Sequence, residues 1–125
     1  MYVTVAAALI FGATRRSANQ TWTRGGGDSS DGGAPRTAEQ NAGLAPYAAA
    51  GLLREYCQPH DPICAPHTKD TKMSFHLDYF DKWGDEAATW VVSRVRGDDK
   101  PSSAVKKVAH PVGGVFILLF VVGLI

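Results

Sequence analysis

The first apolar stretch of the chain, residues 3–11, is almost continuous and ends at Gly12. Continuous apolar runs of this length are typical of strands in a parallel sheet, because both faces of such a strand are covered. The run also has the length of the apolar segment of a signal peptide, but the nearest arginines, Arg15 and Arg16, follow it instead of preceding it. We therefore expect a buried strand over residues 3–11.

The clearest helical pattern covers residues 81–96. Its apolar positions recur at helical spacing along one face, at Ala87, Ala88, Val91, Val92 and Val95. The opposite face carries polar side chains, those of Glu86, Thr89, Ser93 and Arg94. Acidic residues lie near the start of this segment and arginines near its end, as the helix dipole favours, and Gly97 can close it. The pattern predicts a helix that ends at Arg96.

The region between these two elements is less regular. Residues 15–36 surround a glycine-rich centre that favours turns and buries little area, which predicts a long surface loop; we place the glycine-rich part at residues 25–46. Apolar residues then recur at helical spacing, at Leu44, Ala48, Leu52 and Tyr56. Residues 52–57 are equally compatible with a strand that carries Cys57 at its carboxyl end, where open α/β sheets form their sites. We expect helix or loop to about Ala50 and then a strand.

The last fourteen residues, 112–125, are almost wholly apolar. As a helix they would rise about 21 Å, which is short of the roughly 30 Å hydrocarbon core of a bilayer. A polar spacer at residues 97–111 precedes them and contains the small residues Ser102, Ser103 and Ala104. This order is typical of a glycolipid-anchor signal with attachment at Ser102, and a mispredicted terminal exon is the alternative. We expect membrane association only through such an anchor.

The composition excludes few functions, but it favours one cellular compartment over others. The net charge is +1 and the basic residues are scattered, which gives no support for nucleic-acid binding. Roughly 70 to 80 residues remain for a packed core, a size at which a disulfide adds useful stability. Asn19-Gln20-Thr21 is a glycosylation sequon, with Asn19 as the acceptor, and it has meaning only in a secreted chain. Together with two cysteines, the sequon favours export.

One short segment carries candidate chemistry. Cys57 and Cys64 bracket Asp61, and His76 follows fifteen residues after that aspartate. A carboxylate that accepts a hydrogen bond from one imidazole nitrogen fixes the tautomer, so that the other nitrogen can take a proton from a nucleophile. Histidine suits this role because imidazole titrates close to neutral pH. The order of acid before base matches the Ser, Asp, His order of α/β-hydrolases, although an isolated Asp and His often simply solvate a surface loop.

The same segment has a metal-binding alternative. Its four potential zinc ligands lie within eleven residues, at Cys57, His60, Cys64 and His67. Structural zinc sites usually take two of their ligands from a distant element, whereas here all four lie in one short, proline-rich loop. From spacing alone the two cysteines could be reduced, metal-bound or joined in a disulfide. We favour a site without metal or cofactor.

Residues 1–96 resemble the C-terminal portion of the cutinase family, which includes fungal cutinases and acetylxylan esterases. The resemblance rests on motifs in the family's order: LIFG at 9–12, ANQTW at 18–22, PR at 35–36, YCQPHDPIC at 56–64, FH at 75–76 with Tyr79, and DEAA at 85–88. It implies that Asp61 is the triad acid, that His76 is the base and that Cys57 and Cys64 form a disulfide. It also implies a small, doubly wound α/β-hydrolase fold and a secreted monomer that acts on polyesters or acetylated polysaccharides.

Two departures from the family pattern shape the expectation. The family's Phe-Gly-Asp-Pro is replaced by Phe11-Gly12-Ala13-Thr14, and no Gly-x-Ser-x-Gly elbow is present. None of the serines has an elbow context: Ser17, Ser29, Ser30, Ser74, Ser93, Ser102 and Ser103. We expect an incomplete hydrolase sheet over residues 1–96 that lacks the nucleophile and is inactive alone. The alternative is a non-catalytic surface protein that binds cell-wall polymer.

Overall fold

The fold is a small α/β arrangement, as expected, and a computed structural model describes residues 4–27, 29–98 and 121–122. Its elements are β1 Ala8–Phe11, β2 Thr23–Arg24, α1 Ala38–Ala49, β3 Leu53–Tyr56, α2 Met73–Leu77, α3 Tyr79–Arg96 and β4 Val121–Val122. The strands form one sheet in the order β2-β3-β1-β4, and every pairing is parallel. The first and third strands fall within the segments where the sequence predicted strands.

The centre of the sheet is the pair β1 and β3. Ala8 lies opposite Leu53 and Phe11 opposite Tyr56, and the rings of Phe11 and Tyr56 stack with centroids 5.1 Å apart. Because the two strands are parallel and in register, they end at the same edge of the sheet. The amide of Gly12 donates to the carbonyl of Tyr56 at 2.9 Å, immediately beyond that edge. The loops that follow β1 and β3 therefore begin side by side.

The predicted glycine-rich loop at residues 25–46 is wrong in its second half, where α1 begins at Ala38. Thr37 and Gln40 form a capping box: each side chain accepts a hydrogen bond from the backbone N–H of the other residue. This motif and an alanine-rich composition favour the helix locally. None of its residues is buried, and Pro46 lies inside it. The helical spacing of Leu44 and Ala48 therefore indicated only the second half of α1, and no apolar stripe marked its start at Ala38.

The loop at residues 15–36 is not simply a surface loop, which corrects the expectation. Trp22 is buried, and the two residues that follow it form β2 against β3. The Trp22 indole N–H donates to Glu55 Oε2 at 3.2 Å, and Arg36 pairs with Glu55 Oε1 at 2.9 Å. Glu55 lies in β3 and is fully buried. Burial of this carboxylate requires partners, and the loop supplies them.

Helix α3 begins two residues before the predicted start and ends at Arg96, with Gly97 in the left-handed conformation that closes it. Its buried residues are Tyr79, Ala87, Trp90 and Val91. The predicted apolar face is therefore partly wrong: Ala88, Val92 and Val95 are exposed. Large aromatic rings rotate the buried face away from them, since Trp83 packs on Tyr56 and the Arg54 guanidinium lies over the Trp90 ring.

The apolar C-terminal tail contributes two described residues. Val121 and Val122, which form β4, pair in parallel with Leu9 and Ile10 of β1. The rest of the predicted tail, the spacer after residue 98 and the predicted attachment residue Ser102 lie outside the described residues. Among the helices of the described segments, none combines the length and apolarity that a membrane crossing requires.

Candidate active site

The site is built on the loop that follows β3. Cys57 and Cys64 are joined by a disulfide with their Cα atoms 5.9 Å apart, which confirms the pairing that the resemblance implied. Both cysteines are fully buried. The Cys57 amide donates to the carbonyl of Arg24 at 2.9 Å, which continues the sheet pattern into the loop. The loop therefore has a fixed origin at the carboxyl end of the sheet.

The disulfide bears on the zinc alternative. A sulfur bound to another sulfur is not a thiolate, so Cys57 and Cys64 do not supply metal ligands in this structure. His60 directs its Nδ1 to the carbonyl of Lys69, and His67 is exposed. Within the part of the chain that the structure describes, no group of three or more potential metal ligands comes together. The arrangement does not fit a zinc site.

Asp61 is fully buried inside the disulfide loop and is surrounded by donors. The amides of Ile63 and Cys64 donate to its Oδ1 at 2.7 and 3.2 Å. The hydroxyl of Tyr79 donates to its Oδ2 at 2.6 Å. An ionised carboxylate accepts such bonds at both oxygens, and the short loop brings the two amides to one of them. The surroundings therefore hold the Asp61 carboxyl group in a fixed orientation.

His76 reaches the same carboxylate from α2. Its Nδ1 lies 3.0 Å from Asp61 Oδ2 and 3.2 Å from Oδ1. The side chain is 10% exposed. An ionised carboxylate can only accept, so such a partner at Nδ1 favours the tautomer with the proton on Nδ1, in which Nε2 is the basic atom. In the described segments no residue hydrogen-bonds to Nε2, so this atom is free to accept a proton.

Gly12 gives the imidazole its place against the sheet. A Cβ at Gly12 would lie 2.7 Å from His76 Cε1 and 2.8 Å from Nδ1, distances that real side chains do not tolerate. The backbone of Gly12 also has φ of +58°, which glycine adopts at little cost. Sequence reasoning identified Gly12 only as the end of a strand. Its second role depends on a contact across 64 positions of sequence, for which there was no local signal.

Tyr79 and Gln58 are the other site residues whose roles the sequence analysis missed. The Tyr79 hydroxyl accepts a hydrogen bond from the Gln58 amide at 2.9 Å while it donates to Asp61. Burial, and next its hydrogen bond with Asp61, raises the pKa of Tyr79, so it remains a phenol and a donor. The Gln58 side chain donates to the carbonyl of Phe75 at 2.9 Å and so ties the loop to α2. The resemblance named Tyr79 beside Phe75-His76 but gave it no role, and Gln58 had no signal of its own.

The remaining predicted site residues are not brought together with Asp61 and His76. Asn19 is exposed in the loop after β1, with φ of +58°. The hydroxyl of Ser17 donates to the carbonyl of Arg36 at 3.2 Å. No serine of the described segments hydrogen-bonds to His76. The described site is thus an aspartate and a histidine without a nucleophile in contact.

Comparison with known proteins agrees with this geometry. The family model described as Cutinase matches residues 2–95, which include the disulfide loop, Asp61, His76 and Tyr79. Neither a curated protein nor a solved structure matches the chain. The matched range covers well over half of the 125 residues.

Proposed function

Since the chain belongs to the cutinase family of carboxylic ester hydrolases, we propose that Asp61 and His76 are the acid and the base of a serine-dependent ester hydrolase. The observation that carries this proposal is the contact of His76 Nδ1 with a fully buried Asp61 carboxylate. Neutral donors fix that carboxylate, and it faces an imidazole whose second nitrogen is unoccupied by any described residue. This is the arrangement that proton transfer from a hydroxyl nucleophile requires.

The reaction proceeds through an acyl-enzyme. His76 Nε2 accepts the hydroxyl proton as serine attacks the ester carbonyl, and it then donates that proton to the departing alcohol. In the second half, Nε2 takes a proton from water as the water oxygen attacks the acyl carbon; the bond from that carbon to the serine oxygen then breaks, Nε2 returns the proton to the serine oxygen, and the acid leaves. Asp61 stays ionised throughout and stabilises the imidazolium. Because Asp61 is buried, its attraction for the imidazolium is screened less than it would be in water.

The nucleophile and the oxyanion hole are proposed to come from a Gly-x-Ser-x-Gly segment that is not among these 125 residues. The support is that the sequence contains no such motif and that no described serine contacts His76. These residues would then form the acid-and-base portion of an incomplete sheet. We expect the 125-residue polypeptide, produced alone, to show no ester hydrolysis above buffer.

The substrate class and compartment complete the proposal. We infer a polyester or an acetylated polysaccharide as substrate, because family members act on esters and the site holds no other chemistry in its described part. A disulfide in a short loop supports a secreted protein. A glycan on Asn19 is compatible with its exposure. Attachment of a glycolipid at Ser102 and a monomeric state are proposals that rest on the sequence.

The decisive experiment joins this chain to a segment that carries the missing motif. A cutinase-family segment with Gly-x-Ser-x-Gly is fused ahead of residue 1, and hydrolysis of p-nitrophenyl butyrate is measured with and without it. Only the fusion should be active. His76→Ala should lower its kcat by about a thousandfold or more. His60→Ala is the matched control: this histidine lies in the disulfide loop next to Asp61, and its variant should retain activity.

Two outcomes contradict the proposal. The first is that the 125-residue chain alone hydrolyses the ester and loses this activity in His76→Ala, which would show that the chain contains a nucleophile. An active fusion that is equally active with His76→Ala would show that His76 is not the base.

A further inference from the structure

The hydroxyl of Tyr79 lies where three parts of the site meet. It donates to Asp61 Oδ2, accepts from the Gln58 amide and lies 3.2 Å from the Cys64 sulfur. Tyr79 is also the first residue of α3, three positions after His76, and its ring meets the imidazole edge-on at 6.2 Å. One side chain thus contacts both the acid and the base.

The two oxygens of Asp61 are held in different ways. Oδ1 is anchored by the amides of Ile63 and Cys64, both within three residues of the aspartate. With this anchor alone, the carboxylate could still turn about its Cβ–Cγ bond, because a terminal sp³–sp² torsion is broad. The Tyr79 hydroxyl fixes Oδ2, the oxygen nearer to His76 Nδ1. Two fixed oxygens define the plane of the carboxylate.

We propose that Tyr79 is a positioning residue, whose hydroxyl fixes the Asp61 carboxylate plane so that Oδ2 receives the Nδ1–H of His76. This inference rests on the proposed function, in which the orientation of His76 matters. The hydrogen bond is short and charge-assisted, the kind that adds directional restraint as well as energy. Tyr79 keeps its proton and so remains a donor over the whole range in which imidazole acts as a base.

Tyr56 provides a matched control within the same core. It is fully buried, stacks on Phe11, and its hydroxyl bonds to a carboxylate, that of Glu86 at 3.1 Å. Tyr56→Phe therefore removes the same atom from the same cluster without touching Asp61. A general loss of core packing or stability would affect both variants. A loss of restraint at His76 would follow Tyr79→Phe alone.

The test measures solvent exchange of the His76 Nδ1 proton by NMR in the oxidised 125-residue chain. Tyr79→Phe should accelerate this exchange about tenfold relative to wild type, the effect of losing one charge-assisted hydrogen bond. Tyr56→Phe should leave the rate within about twofold. The amide signals of Ile63 and Cys64 should persist in both variants, since their bonds to Oδ1 remain.

Unchanged or slower exchange in Tyr79→Phe would overturn the inference, because it would show that Tyr79 merely competes with His76 for Oδ2. If Tyr79→Phe loses its native amide spectrum, 3-fluorotyrosine is introduced instead. It retains the ring and makes the hydroxyl a stronger donor, so it should slow the exchange, and no change overturns the inference. The measurement needs no catalysis. An inactive serine-bearing fusion would therefore refute the proposed function without altering this result.

Discussion

Two fully buried carboxylates, those of Glu55 and Asp61, lie six residues apart in the sequence but have different hydrogen-bond partners. The two oxygens of Glu55 accept hydrogen bonds from the Arg36 guanidinium, at 2.9 and 3.2 Å, and one of them also accepts from the Trp22 indole N–H. The Asp61 carboxylate accepts hydrogen bonds from two backbone amides and a tyrosine hydroxyl, and it contacts the His76 imidazole. The hydrogen bonds to Asp61 thus come from amides, a phenol and an imidazole, whereas a guanidinium supplies two of the three to Glu55.

The difference distinguishes a carboxylate with a structural role from the proposed triad acid. Arginine is always protonated, so the charge of Glu55 is neutralised permanently and ties the loop before α1 to the sheet. The hydrogen-bond donors to Asp61 are uncharged amides and a phenol, together with the imidazole of His76. The charge of Asp61 is therefore available when His76 becomes an imidazolium. Burial is common to both carboxylates, so the kind of partner, and not burial, supports the proposed role of Asp61.

The largest effect on stability should come from the structural pair. Glu55→Gln leaves the nearly buried Arg36 guanidinium without a counter-charge, so unfolding in urea should show a loss of about 3 to 5 kcal/mol. Glu86→Gln is the matched control, because Glu86 pairs with Arg54 but is nearly half exposed. It should cost less than about 1 kcal/mol. Equal losses in the two variants would contradict the structural role of Glu55.

Removal of the disulfide should have the next largest effect. Replacing Cys57 and Cys64 by alanine frees a loop of about eight residues in the unfolded chain, and the expected loss is about 2.5 kcal/mol. The His76 Nδ1 proton should also exchange faster, since the loop that carries Asp61 is no longer closed. A double variant with wild-type stability and exchange would show that the hydrogen bonds alone hold this loop.

A smaller loss of stability should follow Asp61→Asn. Asparagine can still accept the two amides, so unfolding should become easier by only about 1 to 3 kcal/mol. In the serine-bearing fusion the same change should lower kcat by about ten-thousandfold, because the amide group favours the wrong tautomer of His76. The contrast with Glu55→Gln is the point of the measurement. If Asp61→Asn proves as destabilising as Glu55→Gln, both carboxylates have structural roles.

The smallest effect concerns alkaline pH. Because folding raises the pKa of Tyr79 above its ordinary value of 10.0, the folded chain holds a proton that the unfolded chain releases. Stability from this group is present below pH 10 and declines as pH rises beyond it, by about 1.4 kcal/mol at about pH 11. Tyr79→Phe should show a shallower decline in urea unfolding. An identical pH dependence in the variant would contradict the assignment.

The pattern of apolar residues predicted two elements of the fold correctly in type. A continuous run predicted β1, although the strand is shorter, and a periodic segment with terminal charges predicted α3. The buried face of that helix was wrongly predicted at Ala88, Val92 and Val95, because the large rings of Trp83 and Trp90 pack on the sheet in their place. Helix α1 buries none of its residues; Leu44 and Ala48 hinted at its second half, and only the Thr37–Gln40 capping box could have indicated its start.

The candidate site was predictable only in part. The bracketed Asp61 and the later His76 could be identified from sequence and resemblance, and the structure places them in contact. The roles of Gly12 and Tyr79 could not be identified, because each depends on a contact between side chains that only the folded sheet brings together. Glu55 was not singled out either, since an isolated glutamate in a strand gives no sign of its partners.

The central claim is that Asp61 holds the His76 ring with its proton on Nδ1, so that Nε2 is the base. The most direct test is ¹⁵N NMR of the histidine ring in the oxidised chain at about pH 8.5, where free imidazole is neutral. We predict a protonated Nδ1 and a bare Nε2 in wild type, and a shift of the proton toward Nε2 in Asp61→Asn. A wild-type His76 with its proton on Nε2 would contradict the account.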